Sequence, residues 1–168
     1  MNRPELDAEA ILAVLNAHQV DYVVIGAFAA IVQGAPLEAT HDLDVTPRRD
    51  DDNLRRLSAA IDELHARIRV NDLEEGLPFD HDASSLGSMA MLNLTCAAGD
   101  FDIVYTPAAA PAGFEDLVGS SVRVRVGDEE VAVAGLEDVL RSKEEVGRDK
   151  DARAALVIRA FLRAGEKR

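Results

Sequence analysis

Hydrophobic and polar positions along the chain follow two periods, and the switches between them mark the elements. In "PELDAEAILAVLNAHQV" the apolar residues Leu6, Ala10, Ile11, Val14 and Leu15 recur at helical spacing. That predicts an N-terminal amphipathic helix. "DYVVIG" is a short apolar run ended by Gly26 and reads as a strand. "AFAAIVQG" reads as a second helix, with Gly34 placed to stop it and Pro36 just beyond. "DLDVTP" is the next strand. In "RDDDNLRRLSAAIDELHARI", Leu54, Leu57, Ala60, Ile61 and Leu64 form one helical stripe, and the acidic start suits the helix dipole.

The stretch "NDLEEGLPFDHDASSLGS" shows no period and carries Gly, Pro and Ser, which predicts a loop. "MAMLNLTC" and "FDIVYT" flank "AAGD" and predict a hairpin. "PAAAPAGFEDLVGS" reads as a connection. "VRVRV" and "VAVA" flank "GDEE" and predict a second hairpin, with Val122, Val124 and Val126 on one face and Arg123 and Arg125 on the other. From "GLEDVLRSKEEVGR" through "DARAALVIRAFLRAG" the pattern predicts two helices. The class is α/β: a mixed β-sheet flanked by helices, with two helices at the C-terminus.

Composition narrows the function. The 168 residues suffice for one domain with a real core. The formal net charge is −13, from 18 basic and 31 acidic side chains. Such a surface does not attract nucleic acid globally, so an RNA partner would need a local basic patch. Small substrates carrying Mg²⁺, or a basic protein partner, suit it more easily. No apolar run is long enough for a membrane span, and "MNRPELDAEA" is too acidic for a secretory n-region. Cys96 is the only cysteine, which excludes an internal disulfide and fits a reducing cytoplasm.

The chemistry gathers on three short stretches. Side chains two apart on a strand share a face, so Asp42 and Asp44 project together while Leu43 and Val45 point into the core. Like charges this close raise each other's pKa unless a cation neutralises them. A hard, oxygen-liganded ion such as Mg²⁺ does so. An isolated Asp-x-Asp can equally sit on an exposed face or cap a turn. In "VVIGAFAA" a strand, Gly26 and a helix follow in order, and such a helix start offers backbone N–H groups to a phosphate. In "GDFDIVYT", Asp102 alternates with Phe101 and Ile103 and emerges from one face of a hydrophobic strand. A third carboxylate on a neighbouring strand can complete a two-metal site, whose ions lie about 3.5–4 Å apart.

In combination, "IGAFAAIVQG", "HDLDV" and "FDIV" resemble the nucleotidyltransferase superfamily over roughly residues 20 to 106. Within it the chain looks most like the minimal bacterial enzymes of the AbiEii type, many of which are toxins of toxin–antitoxin pairs. Their tail often carries a serine-lysine and then a lysine-aspartate. Here "RSKEEVGRDKD" places Ser142, Lys143, Lys150 and Asp151 comparably. The resemblance implies one domain over 1–168, with a catalytic core at about 20–106 and a C-terminal hairpin and helices at about 120–165. It implies Mg²⁺-dependent transfer of an NMP from an NTP to an acceptor, with two ions. Asp42 and Asp44 would bind metal and triphosphate, and Asp102 would complete the second metal and help activate the acceptor hydroxyl. Gly26 and the Ala27 N–H would cradle phosphate, and Lys143 and Lys150 would hold the triphosphate. Ala27 departs from the usual Ser or Gly and lacks a side-chain donor. A transfer RNA end, a protein hydroxyl and a small molecule such as an aminoglycoside remain open as acceptors, and a cognate antitoxin is an implied partner. The alternative is a catalytically silent scaffold that binds a nucleotide or a partner protein.

Other residues carry open readings. Lys143 and Lys150 can instead pair with Glu137, Glu144 or Asp151 on a solvated face. Asp151 can orient a lysine, act as a base or cap the last helix. Arg48 and Arg49 can meet a phosphate or lie in a solvated loop. Arg123 and Arg125 fit an exposed strand face. His41 suits packing or a turn contact, and His18, His65 and His81 show no ligand spacing. Cys96 reads as a small core residue.

Overall fold

The computed structural model describes residues 3–167. The N-terminal helix α1 spans Ala8–Ala17 and buries Ile11, Leu12 and Leu15. The Asp7 side chain opens it by accepting from the Ala10 amide at 3.0 Å. Strand β1 (Tyr22–Ile25) passes directly into α2 (Gly26–Ile31), and β2 (Asp42–Pro47) follows. Helix α3 (Asp51–Glu63) is capped by Asp50, whose carboxylate accepts from the Asn53 amide at 2.9 Å.

Here the structure corrects the helical reading of "ARI". The chain turns at His65, which has a φ of 49°, and Arg67–Val70 becomes strand β3. Ile68 lies four residues after Leu64, so it continues the helical stripe on paper. The alternation Arg67-Ile68-Arg69-Val70 is equally a strand's, and sheet pairing decides the case.

The predicted loop is a second correction. It holds β4 (Leu73–Leu77) and α4 (Ala83–Gly87). Strand β4 lies at the edge of the sheet and most of its side chains are exposed, so it needs no apolar alternation. Gly76 sits there at a φ of 74°, where a Cβ would lie 2.6 Å from the Ile68 carbonyl. Helix α4 is one short turn with a capping box between Asp82 and Ser85.

Both predicted hairpins form, β5 (Met91–Cys96) with β6 (Gly99–Val104) and β7 (Val122–Val126) with β8 (Glu129–Val133), but their turns are shorter than "AAGD" and "GDEE": Gly99, Asp100, Glu129 and Glu130 belong to the strands. The connection between them contains a short helix, α5 (Phe114–Leu117), and a 3-10 turn at Val118–Ser120. The C-terminal helices are α6 (Leu136–Val146) and α7 (Asp149–Glu166), separated by Gly147 in the left-handed region.

All eight strands join one mixed sheet in the order β4-β3-β5-β6-β2-β1-β8-β7. The β2–β6 and β1–β8 pairs are parallel and the other neighbours antiparallel. Leu43, Val45, Phe101 and Ile103 point from the sheet centre into a core shared with Ile11, Leu12, Leu15, Leu54, Leu57 and Ile61. Each such fully buried side chain contributes about 1.5–3 kcal/mol. Burying that face exposes the alternate residues of β2 and β6 on the other, where α6 packs on α2 and α7. Among the described residues, no helix is long and apolar enough to cross a membrane.

Candidate active site

The central parallel pair carries two Asp-x-Asp patterns in register. Asp42 lies opposite Asp100, and Asp44 opposite Asp102. Asp42, Asp44 and Asp102 each offer an oxygen within 4.8 Å of the others, as a metal site requires. Asp42 and Asp44 are half-buried and Asp102 is 8% exposed. The Thr40 hydroxyl donates to Asp42 Oδ1 at 3.0 Å. Gly26 closes the site from β1. Its φ is +72°, and a Cβ would lie 2.4 Å from Asp44 Oδ2, so both backbone shape and room require glycine there.

The charge at this cluster is unbalanced. Burial pushes the Asp44 carboxyl up to about 8, and the Asp42 and Asp102 charges add to the rise. Asp102 is raised as well, chiefly by burial, with the Arg69 guanidinium opposing. The Asp44 and Asp102 carboxyls offer oxygens within 4.8 Å of each other, close enough for each to act on the other's proton. Oxygen donors at this spacing, with one carboxyl poised to lose its proton to a cation, fit a hard divalent ion.

Three residues at this face were missed in the sequence. Asp100 belongs to the second Asp-x-Asp, visible in "GDFDIV". Arg69 reaches from β3, and its Nη2 donates to Asp102 Oδ1 at 2.8 Å. Arg3 Nη1 donates to Asp100 Oδ2 at 3.1 Å. Arg69 was hidden because its strand read as the end of a helix. Arg3 carried no local signal, since it reaches Asp100 only through the tertiary fold.

The opposite wall is basic. Asp151, 1% exposed, accepts from Lys143 Nζ at 3.1 Å and from Arg148 Nε at 2.6 Å. Burial works against its charge, but the Arg148 and Lys143 hydrogen bonds outweigh it and hold the carboxyl below its usual range. Asp151 therefore orients Lys143. The capping position of α7 belongs to Arg148, so the cap reading of Asp151 is set aside. Lys150 is exposed on the same wall, with Arg141 and Arg153 nearby along the cleft.

A cleft of about 1640 Å³ runs between these walls, lined also by Gly26, Ala27, Asn93 and Ser142. That exceeds the roughly 300–1,000 Å³ of a pocket for one drug-sized ligand, leaving room for two molecules. Helix α2 opens here without a side-chain cap, so its first N–H groups have no side-chain partner.

Several sequence candidates lie elsewhere. Arg48 and Arg49 sit past the far end of β2 and stack on Phe114 and Tyr105, at 4.8 and 4.7 Å. Arg49 also donates to the Gly87 and Met89 carbonyls. His41 is exposed on the cleft rim. His18 pairs with Glu63, and His81 bridges Ser58 and Asp62. Arg123 pairs loosely with Glu130 on an exposed face, and Cys96 is buried.

The fold is similar to that of solved structures whose names mark them as nucleotidyltransferases or antibiotic-resistance factors. The lincosamide antibiotic adenylyltransferase LnuA, solved with lincomycin, matches with a TM-score of 0.61 at 13% identity, over 92% of this chain and 98% of that one. The antibiotic-resistance factor ANT(2'')-Ia matches with a TM-score of 0.57 at 15% identity, over 92% and 81%. A putative nucleotidyltransferase from Thermotoga maritima, TM1012, matches with a TM-score of 0.54 at 18% identity, over 96% and 97%. No protein-family model and no curated protein sequence matches the chain.

Proposed function

We propose that this protein transfers a nucleotidyl group from an NTP to an acceptor hydroxyl. The observation that carries the reading is the Asp42, Asp44 and Asp102 cluster within 4.8 Å, facing Lys143 across one cleft. Asp42 and Asp44 would hold the metal, with one oxygen of Asp102 completing its protein ligands. Mg²⁺ held there would supply the positive charge that offsets the triphosphate and the charge developing on the attacking and leaving oxygens.

The chain's own groups do the rest. Asp102, whose carboxyl is raised by burial, would help activate the attacking hydroxyl by taking its proton. That oxygen bonds to the α-phosphorus as the bond to the bridging oxygen breaks and pyrophosphate leaves. Lys143, held by Asp151, offsets charge on the departing phosphates, and Lys150 adds to it from the exposed side. Backbone N–H groups of Gly26 and Ala27 hold the terminal phosphates.

RNA is the acceptor we favour. Lys150 and Arg153 put local positive charge on the cleft rim of a chain of net charge −13, beside Arg141 and Arg148, which pair with Asp138 and Asp151. A toxin held in check by a cognate antitoxin belongs to this reading through the AbiEii resemblance. A second reading, a cationic small molecule, draws on Glu38 and Asp116 in the same cleft. The test is incubation with each of the α-labelled NTPs, Mg²⁺ and either total RNA, tobramycin or lincomycin. Labelled RNA supports the first reading and a labelled antibiotic the second. No labelled product with any acceptor, from a protein that binds Mg-NTP, would favour the silent scaffold.

A further inference from the structure

Arg69 takes no part in the transfer chemistry above, yet its side chain is 18% exposed and committed to the site. It starts on β3 and crosses β5 to reach β6, two strands away. There Nη2 lies 2.8 Å from Asp102 Oδ1, and Nη1 lies 3.8 Å from Asp100 Oδ2. Nη1 also donates to the Leu94 carbonyl at 3.4 Å, which steadies the guanidinium over the intervening strand. Arg3 brings a second guanidinium to Asp100 Oδ2 and ties itself to the Val70 carbonyl at 2.8 Å. Asp100 Oδ1 is buried with no hydrogen-bond partner.

Without these arginines, four carboxylates in register would face one cleft. Four such groups would crowd one ion or recruit extra ions, and the productive arrangement would be one of several. We propose that Arg69 is a positioning residue that decides which carboxylates remain for the metal. It claims Oδ1 of Asp102, so that acid presents its other oxygen. Together with Arg3 it keeps Asp100 out of the coordination sphere. A forked guanidinium can span both acids, which one ammonium cannot. The inference rests on the metal-site reading of Asp42, Asp44 and Asp102.

The probe is Mn²⁺ alone, titrated by calorimetry into the full, nucleotide-free chain, with melting curves to confirm folding. Removing a positive charge beside the cluster should tighten Mn²⁺ binding by Arg69→Gln about tenfold. A structural role would do the reverse, because a loosened site binds metal more weakly. Asp100→Asn should cost roughly fivefold more affinity in the Arg69→Gln background than in the native one, the signature of direct coupling. Arg69→Lys keeps the charge but loses the fork, and should tighten binding by about threefold; it carries the test if the glutamine variant does not fold. Unchanged or weaker Mn²⁺ binding in folded Arg69 variants would overturn the proposal, as would equal Asp100→Asn costs in both backgrounds. Asp44→Asn separates the layers. Native-like Mn²⁺ binding there overturns the metal-site reading and this inference with it. Loss of binding there, beside unresponsive Arg69 variants, overturns the arginine's role alone.

Discussion

Asp42-Leu43-Asp44 and Asp100-Phe101-Asp102 are the same pattern on adjacent parallel strands, one residue for one residue in register. Their surroundings differ. The β2 pair meets a threonine hydroxyl and a glycine turn, and Asp44 has no arginine or lysine within salt-bridge reach among the described residues. The β6 pair meets Arg3 and Arg69. An identical pattern therefore yields one pair with unmet charge and one largely neutralised. Only Asp102 belongs to both groups, with one oxygen on Arg69 and an oxygen within 4.8 Å of the Asp42 and Asp44 carboxylates. A motif says where carboxylates project. The neighbouring strands say which of them still need a cation.

The contrast breaks most visibly in activity. Asp44→Asn should cut label transfer by about 10²–10³-fold, the scale seen when a group stabilising transition-state charge is removed. Asp100→Asn should cost only a few-fold by the same assay. Comparable losses from both would mean that the two pairs act alike.

Asp151→Asn tests the opposite wall. Hydrogen bonds to charged groups contribute about 1.5–3 kcal/mol, so freeing Lys143 should weaken Mg-NTP binding by roughly tenfold in calorimetry. Binding unchanged by this substitution would take Lys143 out of the phosphate site. Ala27→Ser adds a donor at the turn beside the β2 pair. Its gain in Mg-NTP affinity should also be about tenfold if position 27 faces the phosphates. Weaker binding would place that side chain away from them.

The smallest effect lies in the pH dependence of the metal-free protein. Asp44 is raised from 3.8 to about 8 when folded, so between those values the native state holds a proton that the unfolded chain has lost. Its contribution is fully present below the unfolded value and is lost as pH rises through the folded one. In chelator, the melting temperature should fall steadily between pH 5 and 8 on this account. Asp44→Asn should flatten that slope and raise the midpoint at pH 8, and Mg²⁺ should reduce the slope in the native chain. An equal slope in both proteins would assign the pH dependence to other groups.

Much of this was legible in the residue pattern. Leu43, Val45, Phe101 and Ile103 are each 1% exposed or less, which is why the intervening aspartates point the other way. Asp102 was found because it interrupts a hydrophobic strand. The family resemblance at "RSKEEVGRDKD" singled out Lys143 and Asp151, and the fold joins them at 3.1 Å. Strands β3 and β4 were not legible. Ile68 sits in helical phase with α3, and edge strand β4 exposes most of its side chains, so neither leaves a clean period.

By itself the sequence determined the alternation that buries one face of β2 and β6 and sets their aspartates on the other, because strand geometry is local and leaves no choice of face. It also determined the glycine that opens α2, since the turn at Gly26 needs a positive φ. The tertiary structure decided the rest. It placed β2 beside β6 in parallel register, although more than fifty residues of chain lie between Asp42 and Asp102. It brought Arg69 across a strand and Arg3 from the far end of the chain to the second acidic pair. Those choices depend on which strands become neighbours. That is settled by the packing of the whole sheet, and no short stretch of residues records it.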